Sequence, residues 1–417
     1  MGNASAIVKP GPEQRDRSGQ VAEHPAGNAA SRSPIGQPQK TAKPAESGGA
    51  KDHPWELRIW SGICLSAILR ELWRNRFQCG PTRIGMAIIL VMLGVMNSFL
   101  WLLQTIFLGR RIAKTKITQP PVFVLGHWRS GTTLLHELLV CDPRHIYPNT
   151  YDCFCPNHFL LSTKAFTWWL SPLMPQKRPM DDMKVGWDSP QEDEWAMCNM
   201  GVPSPYLTLL FPNRPPAYPE YLDLRSITPQ ARQRWKAGLH WFLQCLTLRK
   251  PGRIVLKTPQ HTCRVKTLLE MFPDARFVHI VRNPYTIFPS TIKLWKRMYK
   301  YHGLQNPKFV GLEEYVFDTF NRMYDAFEAD RPNIPEGQYC EVRYEELVKD
   351  PMGQMETVYQ KLGLDDFEVV RPAIQKYLDG RKDYKTNKHE LAPELRDQIT
   401  RRWADFIERY GYAAPKS

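Results

Sequence analysis

The sequence predicts a three-layer α/β domain built on a central parallel sheet, and two observations carry that expectation. From residue 120 onward, short β-rich runs alternate with helical stretches, and the runs are continuously apolar, as in strands buried on both faces. The first run ends in a loop bracketed by glycines, with a helical pattern directly after it. Composition agrees with a folded chain: of 417 residues, 42% are hydrophobic and 24% charged, with 13 Trp, 17 Tyr and 18 Phe. Wholly disordered, collagen-like and disulfide-knot classes are excluded. With 56 Lys and Arg against 42 Asp and Glu, the formal charge of +14 points to anionic partners or substrates.

In chain order, residues 1–50 are Gly, Pro, Ala, Ser and Gln with almost no large apolar side chains, and read as a disordered tail. No apolar segment follows its first basic residue, so it does not read as a secretory signal, and its hydroxyl falls one place early for the myristoylation pattern. Residues 51–118 read as an N-terminal helical segment, and 119–417 as the catalytic domain. Within the former, residues 84–108 carry no charge and lie between Arg83 and Arg110–Arg111, long enough to span a bilayer. The half from Ile84 to Met96 is apolar all round. In the other, Asn97, Ser98, Trp101, Gln104 and Thr105 recur at helical spacing as a polar stripe, which predicts a helix lying in or dipping into one leaflet. Basic residues on both flanks give no orientation. The rival expectation is a hydrophobic helix packed on the following domain. Four strands follow, at 122–126, 253–257, 276–282 and 338–343. Nine scattered cysteines predict reduced thiols; Cys153 and Cys155 form a lone C-x-C, too little for a zinc site, so no metal is expected.

The first strand runs into Gly126-His-Trp-Arg-Ser-Gly131-Thr132-Thr133, and Leu134 to Val140 continue as a helix. Strand, loop and helix N-terminus in this order hold an anion on backbone N–H groups and the helix dipole. The G-x4-G spacing is that of a nucleotide-triphosphate loop, but Thr132 stands where that loop has Lys, and Arg129 is the replacement cation, facing a 5′-phosphate and its substituent. A magnesium-dependent phosphotransferase also needs an acid near a neighbouring strand end. Here two strands end in Lys257 and Arg282.

Four segments together resemble the sulfotransferases that use 3′-phosphoadenosine 5′-phosphosulfate (PAPS). Arg129-Ser130-Gly131-Thr132-Thr133 resembles the 5′-phosphosulfate loop of that family. Arg282-Asn-Pro-Tyr-Thr-Ile-Phe-Pro-Ser290 resembles its 3′-phosphate clamp, and Lys257-Thr258-Pro259 the strand-end lysine motif of its tyrosylprotein branch. Arg343-Tyr344 through Pro351 is similar to its late strand-to-helix segment, whose tyrosine contacts adenine. The likeness runs from about residue 120 to 412. It implies the fold of P-loop-containing nucleoside triphosphate hydrolases and metal-free transfer of a sulfuryl group from PAPS to a hydroxyl or amine. In that reading Arg282 and Ser290 hold the 3′-phosphate, while Lys257 faces the oxygen between phosphorus and sulfur as charge develops there.

The acceptor base is open in the sequence. The stretch from Asn149 to Asp152 lacks the glutamate that the tyrosylprotein branch carries, so the nearest carboxylates are in Ser189-Pro-Gln-Glu192-Asp-Glu194. Ser189 and Glu192 spell a capping box with Pro190 at its first position, which leaves Glu194 as the freer candidate. His158 and His127 follow as candidate bases. Carbohydrate, lipid, small phenol and protein tyrosine all remain as acceptors, and no nucleic-acid partner is expected. A phosphotransferase on the same loop, or a membrane-bound protein that binds nucleotide without turnover, is the alternative. About a dozen residues separate Leu108 from the first strand, too few for a stem at roughly 3.3 Å per residue. The tail's Asn3-Ala4-Ser5 is the one glycosylation sequon. Both features predict a catalytic domain held against the cytosolic face of a membrane.

Overall fold

The computed structural model describes residues 57–170, 186–381 and 391–414. The tail of residues 1–50 lies outside the described residues. Five strands form one parallel sheet in the order β2-β3-β1-β4-β5, with β1 at Val122–Leu125, β2 at His145–Ile146, β3 at Arg253–Lys257, β4 at Arg276–Val281 and β5 at Tyr339–Arg343. Four are the expected runs. The fifth, β2, has two residues and pairs with β3 through Arg253 and Ile254, too short to carry a periodicity of its own.

Alternate side chains along the central strands enter two separate cores. Phe123, Leu125, Ile254, Leu256 and Phe277 belong to one, and Val122, Val124, Val255, Val278 and Ile280 to the other. This period of two, with an apolar core on each face, explains why β1 and the middle of β3 are apolar at every position: both faces are covered by helices, so neither can be wet. The ladder also levels the strand ends. Val124 lies opposite Lys257, Leu125 opposite His279 and Val281 opposite Arg343. The residues just past these ends therefore gather beside β1, where the chain order turns from one side of the sheet to the other, the usual ligand crevice of an open α/β sheet.

Helix α1 spans Leu65–Arg74 and α2 spans Ile84–Lys114, 31 residues. Among the described residues α2 is the one helix long and apolar enough to cross a membrane. The polar stripe divides: Asn97, Ser98 and Gln104 turn inward onto the domain, whereas Trp101 and Thr105 stay exposed. Asn97 and Gln104 are buried, the Asn97 amide donates to the carbonyls of Ser61 and Ile63, and Gln104 accepts from the Leu160 N–H. Ser98 accepts from the Leu65 N–H at 2.9 Å. An amide is satisfied equally by water or by backbone, so the stripe's periodicity was legible and its direction was not.

Candidate active site

The loop after β1 is shaped by backbone conformations that few residues adopt. Arg129 and Gly131 have φ of 68° and 104°. A Cβ on Gly131 would meet the Tyr344 ring at 2.3 Å, so glycine here lets that ring lie directly on the loop. Thr132 and Thr133 open α3 (Thr132–Leu139), whose first N–H groups lack partners within the helix. The Ser130 hydroxyl is fully buried and without a hydrogen-bond partner, a costly state for a native protein and the state a donor to a missing anion would have.

Side chains from β4, β5 and α9 (Pro284–His302) converge on the same loop. Arg282 donates to the Arg129 carbonyl at 2.9 Å, and its guanidinium lies 3.9 Å from the centre of the Tyr344 ring. The Arg129 Nε donates to the Ser290 hydroxyl at 2.9 Å. Thus Arg129, Ser130, Gly131, Thr132, Thr133, Arg282, Ser290 and Tyr344, from three of the four motifs, come together. Arg129 differs in one respect: its side chain turns toward Ser290 and the Arg282 side of the loop.

Across β1, Lys257 ends β3 and is buried. Its ammonium donates to Glu192 at 2.7 Å. The other Glu192 oxygen accepts from the Tyr206 hydroxyl, which in turn accepts from the Trp128 indole N–H at 2.7 Å. The Tyr206 ring stacks on Trp195 with centroids 4.0 Å apart. Burial, then the charge of Glu192, drives the Tyr206 phenol well above its ordinary pKa, so it stays a proton donor to that carboxylate. Trp128 belongs to the loop, and the relay Trp128–Tyr206–Glu192–Lys257 therefore ties the loop to the lysine.

The two glutamates exchange the roles expected of them. Helix α6 spans Asp193–Asn199, and Glu192 sits at its N-cap without a side-chain cap bond. The Ser189 hydroxyl accepts from the Gly186 N–H instead, so no capping box forms. Glu194, the freer candidate by sequence, is fully buried and held by both Arg264 guanidinium nitrogens at 2.7 and 3.0 Å and by the Ser204 hydroxyl at 2.6 Å. Asp193 between them bonds His261 at 2.8 Å and Thr258 at 2.7 Å. Three consecutive acids thus meet Lys257, His261 and Arg264 on the segment after β3. Glu192 alone of the three retains some exposure of its side chain, 9%.

Both histidine candidates are buried and poor proton acceptors, and His158 has both ring nitrogens engaged. Burial holds His127 down at about 3, with its Nδ1 on the Trp128 carbonyl. It holds His158 at about 4, its nitrogens bonded to Ser162 at 2.7 Å and to the Asn97 amide oxygen of α2 at 3.1 Å. His158 anchors the apolar helix. Tyr206 escaped the sequence reading because no local pattern marks it: 14 positions separate it from Glu192 and 78 from Trp128. All nine cysteines are free thiols.

A tight loop and helix start at the carboxyl ends of a parallel sheet, beside a buried lysine–carboxylate pair, place the chain among the open α/β folds that bind ligands at that edge. Residues 120–368 match the sulfotransferase family. Two mycobacterial proteins, from Mycobacterium bovis and Mycobacterium tuberculosis, both named omega-hydroxy-beta-dihydromenaquinone-9 sulfotransferase Stf3, are 46% identical over 358 residues, 86% of this chain and 92% of theirs. The crystal structure of sulfotransferase STF9 from Mycobacterium avium shares the fold with a TM-score of 0.65 at 18% identity, covering 85% of this chain and 92% of that one. That of STF1 from Mycobacterium tuberculosis H37Rv gives 0.58 at 21%, covering 82% and 91%. The chain belongs to the sulfotransferase family and is an enzyme of sulfuryl transfer.

Proposed function

We propose that this sulfotransferase takes its sulfuryl group from PAPS and delivers it to the hydroxyl of a membrane lipid of the isoprenoid-quinone class. The observation that carries the chemistry is the Lys257–Glu192 pair, poised across β1 from the loop. The donor supplies an activated sulfuryl group on a phosphate leaving group. For it, Ser130, Gly131, Thr132, Thr133 and the start of α3 offer N–H and hydroxyl donors, Arg282 with Ser290 offers a site for a 3′-phosphate, Arg129 adds charge between them, and Tyr344 offers a ring face for adenine. The unsatisfied Ser130 hydroxyl fits that use. Lys257 stabilises the charge that develops on the leaving oxygen.

Glu192 takes the acceptor's proton. It is the carboxylate adjacent to Lys257, it keeps a path to the surface, and Tyr206 fixes its second oxygen. Glu194, locked to Arg264, maintains the segment that positions Lys257. The lipid acceptor is supported by the 46% identity to relatives named for a hydroxylated menaquinone and by the apolar surface of α2. The short connection from α2 to β1 keeps the domain at the membrane on the cytosolic side, where PAPS is made.

The test is transfer of labelled sulfate from PAPS, in excess EDTA, to an ω-hydroxylated menaquinone, a sugar, a small phenol and a tyrosine peptide. Label in the quinone alone is the expected result. Transfer to another acceptor overturns the lipid assignment, and turnover only with ATP and Mg²⁺ overturns the donor.

A further inference from the structure

The exposed side of α2 carries a long apolar stripe. Ile88, Met92, Val95, Phe99, Ile106 and Phe107 are each more than half exposed, Met92 and Phe107 reaching 67%. Five of them, at 88, 92, 95, 99 and 106, fall within a narrow angular sector at about 100° per residue. Ala87, Leu90, Gly94, Asn97 and Gln104 are buried on the opposite side. On α1, which packs against α2, Trp73 and, just beyond its end, Phe77 are also exposed, Trp73 at 76%. So large a continuous apolar patch on a soluble surface marks an interaction site.

What covers it is decided by charge and by packing. Helix α2 contains no acidic residue, and the one acid of α1, Glu71, is buried. Exposed Arg76 lies near one end of the stripe, and exposed Arg110, Arg111, Lys114 and Lys116 at the other. A second copy laid on this face, parallel or antiparallel, would bring like charges together. An anionic lipid surface complements both ends. Crossing the bilayer is opposed by the other face. Asn97, Ser98 and Gln104 are bonded to residues 61–65 and 160, and Gln244 of α7 (Pro229–Arg249) donates to the Thr115 carbonyl just past the helix. The domain is therefore packed along the length of α2. A spanning orientation would pull Arg70, Glu71 and Arg74 of α1 into hydrocarbon with it.

We infer that α1 and α2 form an in-plane docking surface for an anionic bilayer, with α2 lying along one leaflet, its apolar stripe among the acyl chains and its basic ends among the headgroups. This rests on the reading of a membrane lipid acceptor and specifies how the enzyme meets it. The surface is joined to the proposed base: Trp60, just before α1, lies edge-on to Trp195 at 5.8 Å, and Trp195 carries Tyr206.

The experiment uses the full chain and sealed vesicles of phosphatidylcholine with or without phosphatidylglycerol. The protein should sediment with the anionic vesicles, less so as salt is raised. A chain carrying Met92→Glu and Phe99→Glu should bind roughly a hundredfold more weakly, since two large side chains can no longer be buried in lipid. That chain should retain transfer to a detergent-solubilised hydroxyquinone, which shows it folded. Thr82→Cys and Thr118→Cys, read against the parent chain, should both react with an impermeant maleimide from outside. Labelling of only one means that α2 crosses the bilayer and overturns the in-plane assignment. Undiminished vesicle binding by the double variant, or a stable lipid-free dimer that the double variant abolishes, overturns the docking surface. Vesicle binding without transfer to any lipid hydroxyl leaves the docking surface standing and overturns the acceptor assignment alone.

Discussion

The two sides of β1 are built differently. On the donor side two cations reach neutral groups: Arg129 donates to the Ser290 hydroxyl and Arg282 to a carbonyl beside an aromatic ring, with the Ser130 hydroxyl unused. On the acceptor side each carboxylate meets a basic side chain, Glu192 with Lys257, Asp193 with His261 and Glu194 with Arg264. The first arrangement can receive a multiply charged anion by exchanging weak neutral contacts. The second is a set of buried pairs in which removing one partner strands the other. Function on the donor side is therefore a matter of affinity, and on the acceptor side it is entangled with stability.

The comparison breaks most visibly at Glu192. Glu192→Gln keeps the shape and the hydrogen bonds and removes the proton acceptor, and should lower kcat by roughly 10²- to 10⁴-fold while nucleotide binding persists. A near-native kcat would move the base elsewhere. Two positions along, Arg264→Met should act on folding. It leaves Glu194 buried without its cation, at a cost of about 3–5 kcal/mol in denaturant unfolding, while the folded fraction still turns over. Loss of turnover with native stability would return Glu194 to the chemistry.

Smaller effects sharpen the contrast. Arg282→Ala should weaken adenosine 3′,5′-bisphosphate by about 1.5–3 kcal/mol in calorimetry, with the 5′-monophosphate hardly affected, because the loss is a hydrogen bond to one charged group. Equal losses for both nucleotides would remove the 3′-phosphate from Arg282. Tyr206→Phe, of unchanged shape, should reduce kcat by about 10- to 100-fold through the lost bond to Glu192, with nucleotide affinity retained. A variant with only a lowered melting temperature would reduce Tyr206 to a packing residue.

The most gradual effect, spread over more than two pH units, concerns the anchor of α2. Burial keeps His158 neutral down to about pH 4 in the folded chain, whereas the unfolded side chain takes up a proton near 6.5. Its contribution is thus complete above pH 6.5 and is lost as pH falls toward 4, by about 1.4 kcal/mol per unit. Melting temperatures measured across that range should drop, and His158→Gln should flatten the drop. An unchanged slope would take His158 out of the acid response.

The sequence by itself determined four of the five strands and the loop after β1 with the side chains that gather on it. Both are local: apolar runs of strand length mark the strands, and each group on the loop lies on the segment that directly follows a strand, so short-range spacing fixes strand, loop and helix start together. The tertiary structure alone decided which carboxylate meets Lys257, that Tyr206 joins it, and which face of α2 is buried. Glu192 and Glu194 differ by two positions in the chain, and their partners lie 65 and 70 residues away. Spacing within one segment carries no information about such pairs, because they form only when the folding of β3 and of the turns after it brings Lys257 and Arg264 up against α6.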